Sequence, residues 1–383
     1  MRILIVSRVY THPVDKGNSR AILAQAEALK SLGNEVHFLY IDEPHPKDTM
    51  VQYEKGFELT KQYWGEHFHY MRKSMLEKTW NYFVKKYVRG GIYWKANDYY
   101  PFHLSKYVQQ LNDKYHFDAC IVNYFDLSKL LTETDIPKKA IHTHDSFTYR
   151  DIVTNATKNI RALTPNEEAK VLQRAQHIFA LQDDDAIFFH RLAPKSNIYT
   201  IYTTITYQAQ PIAGNHNILF LSANETFNIN GLNWFLEKVF PKIMQKYPDA
   251  NLLIAGGICK GLQNNNFPSS IKLCGYIDDV PSFFQQGDIA INPIYQGTGL
   301  KIKTIESLSY DKVTIVHPHS TEGLFRGKDL PLFASKEPNE WVDYITNVWS
   351  NTDVIYSAKQ KNKEYIESMN AFILSEYKRF MDS

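Results

Sequence analysis

Short runs rich in β-branched residues recur along the chain, and between them apolar positions fall at three- and four-residue spacing. Runs of the first kind read as strands and stretches of the second as helices; their alternation predicts βαβ units and parallel sheets. In the first half the strands are expected at Ile3–Ser7, Glu35–Ile41, Ala119–Asn123, Lys139–Thr143, His177–Leu181 and Ile198–Tyr202. A helix over Ser19–Leu32 ends at Gly33, the residue type wanted at a left-handed C′ position. In the second half the strands are expected at Asn217–Ser222, Asn251–Ala255, Ile271–Cys274, Ile289–Pro293 and Val313–Val316. Helices at Gly231–Lys246, Val280–Gln286 and Thr298–Ser309 separate them. The polar, proline- and glycine-containing stretch Thr203–His216 reads as a linker. Tyr356–Asp382 reads as one long helix with Tyr365, Met369, Phe372, Ile373, Tyr377 and Phe380 as its packing residues. The expected organisation is two doubly wound α/β domains, residues 1–208 and 209–355, followed by a helix over 356–383.

Composition narrows the class. With 383 residues, 44% hydrophobic and 22% charged, each half is large enough for its own core. A net charge of +2 gives no global attraction to nucleic acid or membrane. The three cysteines, Cys120, Cys259 and Cys274, contain no C-x-x-C pair, which argues against a disulfide framework or a cysteine zinc site. No apolar run reaches membrane-spanning length, so a cytoplasmic protein is expected, or one resting on the inner face of the cell membrane. One stretch stands apart: Lys61–Lys95 is basic and interleaved with Tyr63, Trp64, Phe68, Tyr70, Trp80, Tyr82, Phe83, Tyr87, Tyr93 and Trp94. Its first reading is a packed core between two helices with a wet lysine face. A lipid or acceptor surface is the second reading, and nucleic acid a distant third.

The segment Gly297-Thr298-Gly299-Leu300-Lys301-Ile302-Lys303-Thr304-Ile305-Glu306 carries its charges at the wrong end of a helix. A helix starting near Thr298, with Thr298 as N-cap, would turn Ile302, Ile305, Leu308 and Ser309 inward. Helix N-termini carry partial positive charge, and each lysine there costs roughly 0.3–1 kcal/mol. Two lysines behind glycines that free backbone N–H groups make sense if a phosphate or diphosphate docks there. The competing reading is a solvated helix start with a Lys303–Glu306 surface pair. No Walker loop is present and no G-x-G-x-x-G follows the first strand, which argues against a P-loop NTPase and a dinucleotide dehydrogenase. Gly17, ahead of the Ser19–Leu32 helix, reads equally as a ligand-approach glycine or a plain turn. His142-Thr143-His144-Asp145 ends a strand, where ligands of open α/β sheets bind. Polar site residues are the favoured reading there, ahead of capping by Asp145; no metal is expected. Asp183-Asp184-Asp185 reads as the first turn of a helix.

Several of these segments together resemble the group 1 (family four) glycosyltransferases. They are Ile218–Ser222 with Asn224, Asn230–Leu236, Leu253–Gly257, Leu273–Asp279, Asp288–Pro293, Gly297–Leu308 and Glu322–Leu324. The resemblance is specific over about residues 217–325 and diffuse before that. It implies the GT-B fold, two facing Rossmann-like domains with a cleft between them and a terminal helix that crosses back to the first. It implies transfer of a sugar from a nucleotide-sugar donor to a glycan, lipid-linked or other hydroxyl acceptor, with retention, without a cofactor or metal ion, in surface polysaccharide assembly. By position it implies that Gly297, Thr298 and Gly299 offer N–H donors to the diphosphate. Lys301 or Lys303 would neutralise the leaving group, and Glu306 would hold ribose hydroxyls. Tyr276 and Ile277 would hold the base, and Asn224 and Gly257 would lie near the phosphates. His144 and Asp145 resemble residues that touch the transferred sugar, and Gly17 and Asn18 a loop on the acceptor side. Many relatives carry two glutamates eight apart where Thr298 and Glu306 stand here. A nucleotide-sugar epimerase and a non-catalytic nucleotide-sugar binder are the rival functions.

Overall fold

The computed structural model describes residues 1–14, 17–42, 50–73, 75–84, 93–153, 161–297 and 300–383. The chain divides into two compact units, Met1–Thr204 with Phe372–Ser383, and Ile205–Ala371. The helix Thr352–Asp382 is therefore shared, its last turns belonging to the first unit.

The first unit is built on a seven-stranded sheet: β1 (Arg2–Ser7), β2 (Glu35–Asp42), β3 (Phe68–Arg72), β4 (Ala119–Asn123), β5 (Lys138–His142), β6 (His177–Ala180) and β7 (Asn197–Thr200). All pairs are parallel, in the order β3-β2-β1-β4-β5-β6-β7. The order reverses between β1 and β4, which leaves a crevice at their carboxyl ends. The register there runs from Ile3↔Ala119 to Val6↔Val122. The strand β1 buries Ile3, Leu4, Ile5 and Val6 completely, as a central parallel strand covered on both faces must. The helix Gly17–Ser31 follows β1, and Gly33 closes it in the left-handed conformation, φ 81°, its N–H on the Lys30 carbonyl.

The second unit is built on six strands: β8 (Asn217–Leu221), β9 (Asn251–Ala255), β10 (Ile271–Gly275), β11 (Ile289–Asn292), β12 (Val313–Val316) and β13 (Leu332–Ala334). They too are all parallel, in the order β10-β9-β8-β11-β12-β13, with the reversal between β8 and β11. Residues 201–216 carry no regular structure. From Ile205 on they belong to the second unit: Asp288 accepts from the N–H groups of Ala213 and Gly214, and Tyr207 donates its hydroxyl to Asp311.

Four expectations need correction. The helix expected at Gly231–Lys246 is two helices, Thr226–Lys238 and Phe240–Lys246, because Pro241 cannot continue an i→i−4 ladder and instead opens the second. The helix expected from Thr298 begins at Ile302. Gly297 sits at φ 112° and Lys301 occupies the N-cap at ψ 62°; Thr298 and Gly299 lie outside the described residues. Two edge strands, β3 and β13, were missed. The strand β3 lies inside the basic aromatic stretch, so that stretch is not simply a pair of helices. Within it, Trp64 is buried face to face on Phe38 (5.0 Å), its indole N–H on the Thr11 hydroxyl. Lys73, expected on the wet face, is buried with its ammonium on the Tyr99 carbonyl, 2.6 Å. Leu76, Trp80 and Phe83 on the helix Met75–Phe83 are exposed. Tyr87, Lys85 and Lys86 lie outside the described residues, as do the side chains of Lys78 and Tyr82.

Candidate functional site

In the second unit the loops leaving β8, β9, β10 and β11 converge at the carboxyl edge of the sheet. Gly256 takes φ 93°, and a Cβ there would lie 2.4 Å from the Ser222 carbonyl, so only glycine admits this approach. Its N–H reaches the Gly275 carbonyl (2.7 Å), and the Ile258 N–H reaches Ser222 O (3.1 Å). Gly257 and Asn224 are neighbours: a Cβ on Gly257 would meet the Asn224 nitrogen at 3.5 Å. Asn224 itself is exposed. Tyr276, just beyond β10, is also exposed, while Ile277 packs beneath it against the apolar cluster containing Leu219 and Leu253.

The helix Ile302–Ser309 buries Ile305, Leu308 and Ser309; its first turn presents the charges. Thr304 anchors that turn, donating its hydroxyl to Ser320 O (3.1 Å) and accepting from the Asn292 amide (2.9 Å). The Lys303 ammonium then lies 2.7 Å from the Asn228 side-chain oxygen and 5.9 Å from the centre of the Phe227 ring. Asn228 is fully buried and donates in turn to the Ala223 carbonyl, 2.9 Å. Lys303 is thus not engaged in the simple surface pair with Glu306 that its spacing allowed; Glu306 stands one turn further along the same helix. Burial lowers the Lys303 ammonium to about 8, against the opposing pull of Glu225 and Glu306 and with a further push from Lys301. Lys301 reaches back to the Gly297 carbonyl (3.3 Å) and lies 3.3 Å from Nε2 of His319, whose Nδ1 faces Glu322 at 2.9 Å. Gly297 packs on Phe227. Cationic groups at a helix start, in a half-buried setting lined by backbone, are an arrangement whose chemistry would suit an anion.

In the first unit the crevice between β1 and β4 holds a neutral polar lattice. His144, in the left-handed conformation at φ 63°, stacks between His142 (4.1 Å) and Tyr124 (4.4 Å). The Asn123 amide donates to Val6 O (3.4 Å) and Gln25 Oε1 (3.5 Å), so its oxygen is the acceptor for Nε2–H of His144, 2.7 Å. Burial drives both histidines down, His142 to about 3 and His144 well below the ordinary range. His144 is therefore neutral, with Nδ1 left as the acceptor. The Asp145 carboxylate pairs with Arg150 (2.9 Å) and accepts from the Ser146 N–H (2.9 Å). Nearby, Glu168 accepts from the Phe147 N–H (2.9 Å) and the Thr148 hydroxyl, which fixes the loop after Asp145. Burial, then the Asp145 charge, pushes the Asp185 carboxyl up to about 7; Asp183, Asp184 and Asp185 form the first turn of the helix Asp183–Leu192, as expected. Gly17 opens the helix Gly17–Ser31, and Asn18 Oδ1 accepts from the Ser19 N–H, 2.9 Å. The Asn18 side chain also hydrogen-bonds Tyr124.

Sequence reasoning missed Asn228, Asn123, Gln25 and Tyr124. Asn228 sits four residues beyond Asn224, on a helix turn that faces Lys303. Its only advance signal is a second asparagine beside the Asn230-Gly231 pair.

Residues 215–351 match the family model described as "Glycosyl transferases group 1". They therefore carry a group 1 glycosyl transferase domain. An "Uncharacterized 44.6 kDa protein in cps region" of Klebsiella pneumoniae is 24% identical over 177 residues. That stretch covers 41% of this chain and 45% of the relative, so the chain spans under half of the relative's length. Among solved structures, a mutant S. aureus TarM in complex with fondaparinux, alpha-GlcNAc-glycerol and UDP superposes with TM-score 0.65 at 12% identity, covering 100% of both chains. The pneumococcal O-GlcNAc transferase GtfA in complex with UDP and GlcNAc gives 0.63 at 11%, over 100% of this chain and 98% of that one. Anabaena HepE in complex with UDP and glucose gives 0.59 at 12%, over 100% of both. At such identities the likeness is one of fold. The two parallel-sheet Rossmann-like domains are those of GT-B proteins.

Proposed function

We propose that the protein is a retaining glycosyltransferase that moves a sugar from a nucleoside diphosphate donor to a glycan, lipid-linked or other hydroxyl acceptor, in the assembly of a bacterial surface polysaccharide. The observation that carries the proposal is the Lys303 ammonium, held half-buried at a helix start by Asn228, with Lys301 beside the same loop. Transfer breaks the bond from the anomeric carbon to the diphosphate oxygen and forms one to the acceptor oxygen on the same face. The acceptor proton passes to the departing phosphate oxygen. Charge grows on the diphosphate, and a preorganised cation or N–H aimed at it is worth roughly 2.7–4 kcal/mol.

Lys303 takes the leaving group, Lys301 and the N–H groups of 297–299 hold the diphosphate, and Glu306 holds the ribose. Tyr276 and Ile277 flank the base, with Asn224 and Gly257 at the phosphate loop. In the first unit, Nδ1 of His144 accepts from a sugar hydroxyl, Asp145 fixes the loop, and Gly17 and Asn18 serve the acceptor. Leu76, Trp80 and Phe83, exposed at spacings of four and three, form a lipid-facing surface for a lipid-linked acceptor. The GtfA and HepE complexes, both with UDP and a sugar, support the choice of UDP as first probe.

The test is calorimetry with UDP-, GDP-, ADP- and dTDP-linked sugars, then nucleoside diphosphate release with and without acceptors. Donor binding with acceptor-dependent release is expected. Acceptor-independent turnover would mark an epimerase or hydrolase, and binding without turnover a silent binder. No binding at all rejects the proposal.

A further inference from the structure

At the opposite end of the first unit's sheet from the His144 crevice, the amino ends of β2 and β3 gather a second constellation. Glu35 and His37 lie on one face of β2 at the strand period of two, and His67 immediately precedes β3. The parallel register, Phe38↔Phe68, brings His67 alongside His37 one step earlier. Glu35, His37 and His67 each turn one ligand atom inward, all within 4.8 Å of one another. His37 Nε2 is 2.8 Å from Glu35 Oε1, and His67 Nε2 is 3.8 Å from the same oxygen. Bonds of 2.0–2.1 Å at tetrahedral angles separate ligand atoms by roughly 3.3 Å, between these two values.

We propose that Glu35, His37 and His67 form a zinc-class divalent metal site that staples the edge strand β3 to β2. Two imidazoles and one carboxylate are a recurrent zinc donor set, with a fourth position left to water.

The groups that would orient these ligands are already in place. Glu35 Oε2 accepts from Arg2 Nε (2.9 Å), which fixes the carboxylate and leaves Oε1 facing the histidines. His37 Nδ1 lies 2.9 Å from Nε2 of buried His69, and the Tyr115 and Phe117 rings pack on His37 at 4.7 and 5.1 Å. Without metal, His37 Nε2–H donates to Glu35, and His69 Nε2–H donates to His37 Nδ1. With metal on Nε2, His37 carries its proton on Nδ1 and donates it to His69. Partners of this kind fix ligand orientation, and their loss costs 10–100-fold in metal affinity. Clamping β2 to β3 suits an edge strand that has a neighbour on only one side.

Chelator-stripped full-length protein titrated with zinc in a calorimeter, and separately with Co(II) followed by visible absorption, tests the site. One equivalent is expected, with four-coordinate Co(II) bands and a zinc-dependent rise in Tm. His67→Gln, at a half-exposed position that leaves the fold intact, should weaken zinc at least about tenfold, as should Glu35→Gln. His190→Gln, on an exposed helix position elsewhere in the unit, should leave it unchanged. Absence of a zinc heat and of the Co(II) bands, or their persistence in both ligand variants, overturns the proposal.

Discussion

The two units share one architecture and place polar residues at the same topological point, yet one site is cationic and the other neutral. In the second unit two lysines stand at a helix start, one of them half-buried and held by a single amide oxygen. In the first unit the crevice is filled by neutral imidazoles and amides locked to each other, beside carboxylates at Asp145, Glu168 and Asp185. The fold supplies a location, and side-chain chemistry decides what the location holds. A cationic start suits the anionic, phosphate-bearing half of a donor. A neutral lattice that leaves the His144 Nδ1 acceptor open suits a hydroxyl donor.

The comparison breaks first at Lys303. Lys303→Ala should lower kcat by about 10²–10³-fold, the usual cost of removing one preorganised donor to a developing oxyanion. UDP affinity should fall less, because the amine acts most strongly on charge that appears only as the bond breaks. Equal losses in UDP binding and turnover would make Lys303 a ground-state anchor; near-normal transfer would remove it from the mechanism.

His144 should behave in the opposite manner. His144→Asn, chosen because asparagine tolerates the left-handed φ of 63°, should reduce transfer about tenfold to a hundredfold while leaving UDP binding within about twofold. Comparable weakening of UDP itself would show that the neutral lattice serves the phosphate, and the division of labour between the units would fail.

The cationic half of this contrast was legible in the sequence because misplaced charge is a local signal. Lysines at 301 and 303 oppose the helix dipole whatever surrounds them, and Gly297 advertises an unusual backbone. Where that helix begins was not legible: it starts at Ile302, and its first turn is fixed by Thr304 on Asn292 and Ser320, partners that the local pattern around the expected cap does not reveal. Asn228 was hidden for a related reason. An asparagine in a first helical turn is ordinary, and its role rests on a 2.7 Å contact across 75 positions. The buried strands declared themselves by apolar runs, whereas β3 did not: His69 and Arg72 interrupt its five residues, and its aromatics blend with those of the neighbouring helices. Lys73 misled in the same way, since its burial depends on the Tyr99 carbonyl.

The sharpest small effect is on pH. The Lys303 ammonium lies at about 8 in the free protein, below the ordinary lysine range, so it is charged at pH 7 and largely neutral at pH 9. A bound diphosphate favours the charged form and raises that value, so binding takes up a proton and affinity falls as pH rises through about 8. Between pH 7 and pH 9, where phosphate groups are already ionised, UDP should weaken by up to about tenfold. Lys303→Arg, which cannot lose its proton in this range, should flatten the profile even where it weakens binding overall. The His144 lattice predicts no matching step, since burial keeps its imidazoles neutral throughout. Calorimetry in buffers of differing ionisation enthalpy measures the proton uptake directly. A flat profile in the unaltered protein, or the same fall in Lys303→Arg, would mean that the amine does not face the phosphates and that the charge contrast between the two units has no bearing on donor binding.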